Sequence, residues 1–483
     1  MLFNSLSFAA FLPVVFILYW MFRGNLKNQN RLLLLSSYFF YGCWDWRFLF
    51  LLFFSTFLDY YTGIRITRAK SRQSEKFWFW LSISVNLGFL GVFKYYNFFA
   101  ASFAGLLSSV GFQANFWTLK VILPVGISFY TFHGLSYVID IYKKRIEPEL
   151  NFTDYAVFVS FFPLLVAGPI ERATHLLPQI KKKRTFNYET AVDGLRQILW
   201  GLFKKVVVAD SCAVYANTIF NDSGSYSGST LLLGAVFFSI QIYGDFSGYS
   251  DIALGTARLF GIDLLRNFAY PYFSRDIAEF WRRWHISLST WFRDYLYVPL
   301  GGSQGGNLMR IRNTFIIFIV SGFWHGANWT FIIWGLLNAI YIMPSIVFKT
   351  NRKNLDIVAQ HSVFPNIRET ISMAVTFFLT VMAWIFFRSE SVQQAFQYIG
   401  TIFSGTLFKI PYFPGIGRSF PVLVFIFIFF ATEWFGRKDQ FALQTAWLKF
   451  PAAIRWSFYG VLVFAIYYFS VTVSTQQFIY FQF

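Results

Sequence analysis

Long apolar runs separated by short polar segments dominate the sequence. The uncharged or nearly uncharged runs cover about 1–22, 32–61, 77–92, 121–139, 155–170, 313–348 and 371–387, and further runs start near 197, 231, 421 and 456. A helix rises about 1.5 Å per residue, so that about 20 apolar residues cross the hydrocarbon core of a bilayer. The pattern predicts an all-α polytopic membrane protein with about ten to twelve spans.

Two of these runs are interrupted. Residues 32–61 would form a helix about 45 Å long, which exceeds a core of about 30 Å, and the polar, Trp-rich residues 41–47 break the run. We expect a hairpin with this break at an interface. The run at 155–170 carries Pro163, Gly168 and Pro169. Because it separates two basic segments that should lie on one side, we expect a re-entrant segment whose irregular backbone is buried in protein.

Composition excludes a water-soluble protein. Apolar residues make up 56% of the 483 residues and charged residues only 13%, whereas soluble proteins carry about 25% charged residues. Two cysteines cannot form a disulfide framework. The longest polar segments, at about 171–196 and 349–369, are too short for a separate catalytic domain. We therefore expect one integral-membrane domain over 1–483, in which any chemistry takes place within the helical bundle.

The basic residues indicate membrane topology. Lys and Arg number 41 and Asp and Glu number 23, which gives a net charge of +18. The basic residues occur in short packets between the apolar runs, at 23–31, 65–76, 143–145 and 181–184. Nucleic-acid-binding proteins concentrate such charge on one face or tail, whereas the positive-inside bias spreads it over cytoplasmic loops. We expect a lipid bilayer as the environment and no nucleic-acid partner.

His325 is the first candidate for chemistry. It is the one residue among Asp, Glu, Lys, Arg and His in the run 313–348. It lies about 19 Å beyond Arg312 along a helix, near mid-membrane, and an ionisable residue at that depth is a functional-site hypothesis. An uncharged imidazole can act as a base at neutral pH. Gly322 and Gly326 leave room beside it for a substrate or for close helix packing, and a purely structural hydrogen bond to a neighbouring helix is the alternative.

Residues 275–293 are the second candidate region and are predicted to form one amphipathic helix. Its arginines, among them Arg282 and Arg283, lie away from an apolar stripe at helical spacing that consists of Ile277, Trp281, Trp284, Leu288 and Trp291. Such a helix lies at the membrane boundary or lines a polar cavity. His285 falls at the edge of the stripe and faces either side, and a solvated arginine face with a boundary histidine is the alternative.

Other polar features carry weaker signals. The glycine-rich residues 301–306 could cradle phosphates, but their spacing matches neither common nucleotide-binding pattern, and we interpret them as a flexible turn. Asp245 and Asp251 could orient a base or pair with an arginine, and pairing alone is the favoured interpretation. The other histidines are interpreted as structural or as loop residues, and no metal site is predicted. These remaining histidines are His133, His175 and His361.

Several motifs together resemble a known family. They are YGDFSGYSD at 243–251, EFWRRWHISLSTW at 279–291, RDYLY at 293–297 and WHGAN at 324–328. These motifs are similar to those of the membrane-bound O-acyltransferase (MBOAT) family, and within it to the bacterial AlgI-type proteins of polysaccharide and alginate O-acetylation. The likeness also includes PVGISFY at 124–130, AGPI at 167–170 and FIYFQF at 478–483, and so covers nearly the whole chain.

The resemblance implies a helical bundle that encloses a cavity or tunnel, with His325 as catalytic residue and His285 as its functional companion. It also implies an acyl donor reached from the cytoplasm, with acetyl-CoA as the co-substrate and no bound cofactor. On the outer side it implies an acetyltransferase partner protein and a polysaccharide acceptor, with the chain in the bacterial inner membrane. The candidate residues for binding the donor or the acceptor are Trp281, Arg282, Arg283, Asn328 and Asp245.

Three alternative functions stay open at this point. A D-alanyltransferase of teichoic acid would use a carrier-protein thioester, and this branch resembles the chain less. A transporter or flippase of an acylated carrier would depend on the cavity and not on His325. A structural assembly subunit would depend on neither histidine.

Overall fold

The computed structural model describes residues 1–112, 123–166, 168–473 and 476–479, and every regular element in these ranges is helical. The predicted all-α fold is confirmed. Residues 121 and 122 of the predicted run 121–139, Ala167 of the AGPI motif, and the last four residues of the chain, 480–483, lie outside the described residues.

The chain divides into two compact units. The first comprises residues 1–194 and 253–265, and the second comprises residues 195–252 and 266–483. The single domain expected over 1–483 stays a prediction. The division falls within two helices, Tyr188–Leu202 and Gly228–Leu259, and we call the second of these the central helix.

The first unit is built from helices of very different lengths. Its α-helices are Leu6–Met21, Leu26–Asp45, Leu49–Thr67, Arg72–Leu90, Tyr96–Ser109, Ile127–Tyr142, Phe152–Ser160, Phe162–Leu165 and Ala173–Lys181, with a 3₁₀ turn at Trp46–Phe48 and a π-helical turn at Gly91–Tyr95. The turn at Trp46–Phe48 interrupts the long apolar run next to the predicted break. The segment expected to be re-entrant consists of two short helices, Phe152–Ser160 and Phe162–Leu165, most of whose residues are buried.

Polar side chains start many of these helices. The side chains of Ser5, Asn25 and Ser71 each accept a hydrogen bond from a backbone N–H in the first helical turn. Such caps satisfy backbone donors that have no partner inside the helix. Within the first unit, the buried Asp59 carboxylate accepts hydrogen bonds of 2.6 and 2.7 Å from Ser82 and Asn86. These bonds join helices Leu49–Thr67 and Arg72–Leu90.

The second unit carries the sequence motifs from 243 to 328. After the central helix its α-helices are Ile277–Arg283, Ile286–Phe292, Gly306–His325, Trp329–Val347, Ile367–Arg388, Val392–Ile402, Phe420–Phe435, Thr445–Leu448 and Ala452–Thr472. Before the central helix, Tyr188–Leu202 continues through a π-helical segment, Phe203–Ala209, into Asp210–Asn221. A second π-helical segment occurs at Arg293–Tyr297, and 3₁₀ turns occur at Ser223–Ser225, Pro271–Phe273, Gly405–Phe408 and Ile416–Arg418.

The chain is a multi-pass membrane protein. Within the part of the chain that the structure describes, six helical stretches are long and apolar enough to cross a membrane, namely Leu26–Thr67, Arg72–Ser109, Gly228–Leu259, Trp329–Val347, Ile367–Arg388 and Ala452–Thr472. Two shorter apolar helices are Leu6–Met21 and Phe420–Phe435. The expected ten to twelve spans stay a prediction.

Candidate active site

His325 is the last residue of helix Gly306–His325, which forms a tight hairpin with helix Trp329–Val347. Gly326 leaves the helix in an extended conformation, and Asn328 caps the next helix by accepting a hydrogen bond from the Thr330 N–H. The turn is short because these residues end one helix and start the next.

Two glycines let the arms of this hairpin approach closely. A side chain on Gly322 would collide with the Phe331 carbonyl oxygen, and one on Gly335 would collide with the Phe318 carbonyl oxygen. Gly322 therefore serves helix packing, which was one of the two roles expected for it. The packing fixes His325 at the hairpin turn.

The imidazole of His325 is enclosed by aromatic rings. Its ring centroid lies 4.9 Å from that of Trp324, 5.1 Å from Trp334 and 5.3 Å from Phe387, in edge-to-face arrangements. The residue is only 4% exposed. We call these three rings, together with His325, His285 and Phe246, the aromatic cage. The aromatic cage therefore surrounds the His325 imidazole with aromatic rings.

His285 lies at a break between two short helices. The structure corrects the expectation of one continuous helix over 275–293, because helix Ile277–Arg283 ends before Trp284 and helix Ile286–Phe292 begins after His285. His285 has a φ of 41° and a ψ of 55°, a left-handed conformation that is uncommon outside glycine. Such backbone strain persists only where the surroundings enforce it.

The surroundings of the break explain it. The Ile286 N–H donates to the Asn267 carbonyl at 2.9 Å, and the Ala269 N–H donates to the Arg283 carbonyl at 2.9 Å. The Ser287 hydroxyl donates to the Asn267 side-chain oxygen at 2.6 Å. Backbone groups released by the break are thus bonded to residues 267–269, and these long-range bonds replace the helical ones.

Trp324 contacts both histidines. Its ring centroid lies 6.1 Å from that of His285 and 4.9 Å from that of His325, and the His285 ring also lies 4.6 Å from that of Phe246. His285 is 1% exposed, and this burial lowers the pKa of its imidazole to about 3. His285 is therefore a neutral ring that can both donate and accept a hydrogen bond.

A cavity of about 830 Å³ lies in the same unit. This volume is in the range of small-molecule and cofactor sites. Its deeper lining is apolar and includes Trp281, Phe318 and Ile342, and none of its described lining residues is Asp or Glu. It is also lined by four arginines, Arg282, Arg293, Arg310 and Arg352. The cavity is thus suited to a ligand with an anionic part and an apolar part.

Neighbouring residues link the wall of the cavity to both histidines. Trp281 contacts Trp334 at 5.7 Å between ring centroids, and Trp334 contacts His325 at 5.1 Å. Ile286, which lines the cavity, directly follows His285. His325 is therefore two ring contacts from the lining residue Trp281, and His285 adjoins the lining residue Ile286 in the sequence. We treat the cavity and the aromatic cage as one candidate site.

The residues predicted to bind donor or acceptor differ in their surroundings. Arg282 and Trp281 line the cavity. The Arg283 guanidinium is bonded to Glu279 at 2.7 Å. Asn328 caps a helix and donates to the Glu390 carbonyl at 3.0 Å, and Asp245 is paired with a lysine. Arg282 also donates to the Asn351 and Asn354 carbonyls at 2.7 Å, and the Trp281 indole N–H donates to Asn338 Oδ1 at 3.2 Å. Of the five residues, only Arg282 and Trp281 line the cavity as well as having structural partners.

Arg310 and Arg352, together with the turn at 301–306, were not predicted at the site. Both arginines lie in polar segments that the sequence explains as topology, and no periodic pattern links them. Ser303 of the turn also lines the cavity. The turn needs glycine because four of its residues have positive φ, namely Gly301, Gly302, Gly305 and Gly306.

A buried ion cluster in the same unit was also missed. Lys204 Nζ lies 2.6 Å from Asp251 Oδ2 and 3.9 Å from Glu433 Oε1. Lys205 Nζ lies 2.8 Å from Asp210 Oδ1 and 2.7 Å from Asp245 Oδ1. The two lysine side chains are 4% and 2% exposed. We call these six residues the lysine cluster. The adjacent lysines, buried within an apolar stretch, were the signal that could have revealed it.

The other histidines lie elsewhere. His133 and His175 belong to the first unit, where His133 is buried and accepts a hydrogen bond from the Glu171 N–H. Hydrogen bonding to the buried Glu171 carboxylate raises the pKa of His175 above its ordinary value. His361 is exposed. None of the three belongs to the aromatic cage.

Comparison with known proteins places this site in context. Residues 143–383 match the model of the MBOAT, membrane-bound O-acyltransferase family. The chain is 39% identical over 407 residues to the probable alginate O-acetylase AlgI of Pseudomonas aeruginosa, covering 84% of this chain and 75% of that protein. It is 36% identical to the peptidoglycan O-acetyltransferase of Helicobacter pylori, covering 82% and 79%. The teichoic acid D-alanyltransferase of Bacillus subtilis is 30% identical over 47% of this chain and 60% of that protein.

Proposed function

Because the chain belongs to the membrane-bound O-acyltransferase family, we propose that this O-acyltransferase moves an acetyl group from a cytoplasmic thioester to hydroxyl groups of an extracytoplasmic polysaccharide. The relatives with the broadest matches are named for O-acetylation of alginate and of peptidoglycan. The D-alanyltransferase relative matches less than half of the chain. These matches favour acetyl transfer to a glycan. We place the protein itself in the bacterial inner membrane as part of the proposal.

The observation that carries the proposal is the pair of buried histidines in the aromatic cage, which the neighbouring residues Trp334 and Ile286 link to an arginine-lined cavity. His325 takes the proton of the acceptor hydroxyl as its oxygen attacks the thioester carbonyl. A carbon–oxygen bond forms and the carbon–sulfur bond breaks. The thiolate that leaves takes the proton from the His325 imidazolium. The aromatic cage keeps water from the reacting carbonyl and so limits hydrolysis of the donor.

His285 supports this step as a neutral ring. A neutral imidazole can donate a hydrogen bond to the oxygen that becomes negative in the transition state. It can also accept one from the acceptor hydroxyl and orient it. The left-handed backbone of His285 is consistent with such a demand, because strained conformations cluster at functional sites.

The cavity is the proposed donor site, with acetyl-CoA as co-substrate. The phosphates of coenzyme A match the guanidinium groups, since arginine binds phosphate through paired hydrogen bonds. The apolar lining matches a pantetheine arm. Arg352 belongs to the segment between Val347 and Ile367, which also carries Lys349 and Lys353. Basic segments of this kind lie on the cytoplasmic side, which supports donor entry from that side.

The acceptor then reaches the site from the opposite side. A polysaccharide outside the membrane needs a protein that presents its hydroxyls, and we propose an extracytoplasmic acetyltransferase partner for this step. This arrangement explains why acyl transfer can proceed without a separate soluble domain in this chain.

Mass spectrometry of cell-surface glycans tests the proposal. A strain that lacks the gene is complemented with wild type, with His325→Ala, or with His361→Ala as the matched control at an exposed histidine. We expect acetyl esters with wild type and His361→Ala and none with His325→Ala, at equal levels of membrane protein. Acetylation by His325→Ala at the wild-type level would refute the assignment of His325. Loss of glycan D-alanine instead of acetyl would favour the D-alanyltransferase alternative.

A further inference from the structure

Residues 476–479 form a short segment in the second unit, and its last two residues are buried. Phe478 and Ile479 are each 1% exposed. The Ile479 N–H donates to Asp245 Oδ2 at 2.8 Å, and Lys205 Nζ donates to the Gln476 carbonyl at 3.3 Å. Since Lys205 and Asp245 also bond each other at 2.7 Å, one buried ion pair anchors the segment on both sides of Phe478.

The ring of Phe478 is connected to a histidine of the candidate site. Its centroid lies 4.6 Å from that of Tyr249 and 6.1 Å from that of Phe246. Phe246 in turn meets the His285 ring edge-to-face, with 4.6 Å between centroids and 82° between planes. Two ring contacts therefore separate Phe478 from His285.

Close packing makes this connection effective. Protein interiors have few voids, so that one ring can turn only if its neighbours move. Phe246 is fully buried and is also held by Phe268 at 4.9 Å. Removal of the Phe478 ring would leave a cavity on one side of Phe246, and buried residues relax into such cavities. Movement of Phe246 then frees the His285 imidazole.

We propose that Phe478 is a positioning residue for His285, which acts through Phe246, and that the Lys205–Asp245 pair anchors the segment that carries it. The proposal rests on the role of His285 in the proposed function. It assigns Asp245 to the support of the site and not to ligand binding.

Chemical modification of histidines tests the proposal without reliance on activity. Purified wild type, Phe478→Ala and Phe478→Leu are treated with diethylpyrocarbonate, and each modified histidine is quantified by mass spectrometry. Phe464→Ala is the matched control, because Phe464 is 68% exposed. His175, whose side chain is 38% exposed, is the accessible reference, and His133, 1% exposed in the first unit, is the buried reference.

We expect the modification rate of His285 to rise about fivefold or more in Phe478→Ala and less in Phe478→Leu, because local opening exposes the ring. The rates at His133 and His175 stay at wild-type values. With acetyl-CoA as donor, kcat falls about 10-fold to 100-fold while the KM for the donor is unchanged, because misplacement of a catalytic group acts on the chemical step. Phe464→Ala behaves as wild type.

The outcomes separate the proposals. Wild-type protection of His285 together with wild-type kcat in Phe478→Ala overturns the positioning role, and so does an equal rise of modification at His133, which indicates general loosening. If Phe478→Ala cannot be purified as a folded protein, Phe478→Leu decides by the same two measurements. If wild type transfers no acetyl group but His285 becomes reactive in Phe478→Ala, the proposed function fails and the structural link stands.

Discussion

The aromatic cage and the lysine cluster handle buried ionisable groups in opposite ways. In the cage, His285 and His325 are surrounded by the faces and edges of aromatic rings. In the cluster, Lys204 and Lys205 each have two carboxylates within 4 Å. Both regions belong to the same compact unit.

The difference separates chemistry from support. A buried ion costs several kcal/mol unless a partner of opposite charge compensates it, so each lysine of the cluster depends on its carboxylate partners. A neutral imidazole among aromatic rings keeps its capacity to take up a proton during a reaction. We therefore expect substitutions in the cage to change turnover and substitutions in the cluster to change stability.

The largest expected effect is in the cage. His325→Gln keeps a polar side chain of similar size but removes the base, and turnover of acetyl-CoA should fall by about 10²-fold to 10⁴-fold. The melting temperature in detergent should stay close to that of wild type. Turnover within twofold of wild type would show that His325 is not the base and would contradict the contrast between the aromatic cage and the lysine cluster.

The cluster should respond in the opposite way. Lys205→Met leaves two carboxylates without their partner, and removal of one member of a buried ion pair costs about 3–5 kcal/mol of folding free energy. The melting temperature of Lys205→Met, measured by scanning fluorimetry, should be markedly lower than that of wild type. Lys449→Met, a substitution at an exposed lysine, should leave the melting temperature unchanged. A normal melting temperature of Lys205→Met would contradict the stabilising role of the lysine cluster.

Substitution of an arginine in the cavity lining should affect binding of the acetyl donor and leave turnover and stability unchanged. Arg310→Gln removes a cation from the cavity lining, and a hydrogen bond to a charged group contributes about 1.5–3 kcal/mol. We expect the KM for acetyl-CoA to rise about tenfold or more, with kcat unchanged. Arg455→Gln, a partly exposed arginine in helix Ala452–Thr472, is the control. A fall in kcat alone would contradict a donor-binding role.

The smallest effect concerns a histidine with a carboxylate partner. Because Glu171 raises the pKa of His175, the pair stabilises the fold fully below the unfolded histidine pKa of about 6.5. This contribution is lost as the pH rises through the raised pKa of the folded state. The side chain is 38% exposed, so solvent screening limits the effect to less than about 1 kcal/mol. Melting temperatures from pH 6 to 9 should fall more for wild type than for His175→Gln.

The sequence identifies the candidate histidine for a local reason. A single ionisable residue in a long apolar run stands out without knowledge of its neighbours, and this is how His325 is found. The hairpin turn after His325 is not predicted, because Asn328, which caps the second helix, is interpreted as a candidate for ligand binding. Helical class and membrane character follow from composition, and both agree with the structure.

The remaining features depend on distant residues. The break at His285 arises from backbone bonds to 267–269, which a periodic pattern of apolar residues cannot show, and so the sequence predicts one continuous helix. The carboxylates that pair with Lys204 and Lys205 lie up to about 230 positions away. Arg310 and Arg352 meet only around the folded cavity. Each of these requires the tertiary structure.

The paired lysines also bear on how the chain enters its membrane. Helix Tyr188–Leu202 and its continuation through Phe203–Ala209 to Asn221 are not among the six stretches of the described residues that are long and apolar enough to cross a membrane. A lysine at the centre of a spanning helix costs the insertion machinery about 2.5–3.5 kcal/mol. That penalty disappears once Asp245 and Asp251 of the central helix arrive. Biogenesis of this region should therefore be concerted, with the earlier helix held at the translocon until the central helix has been synthesised.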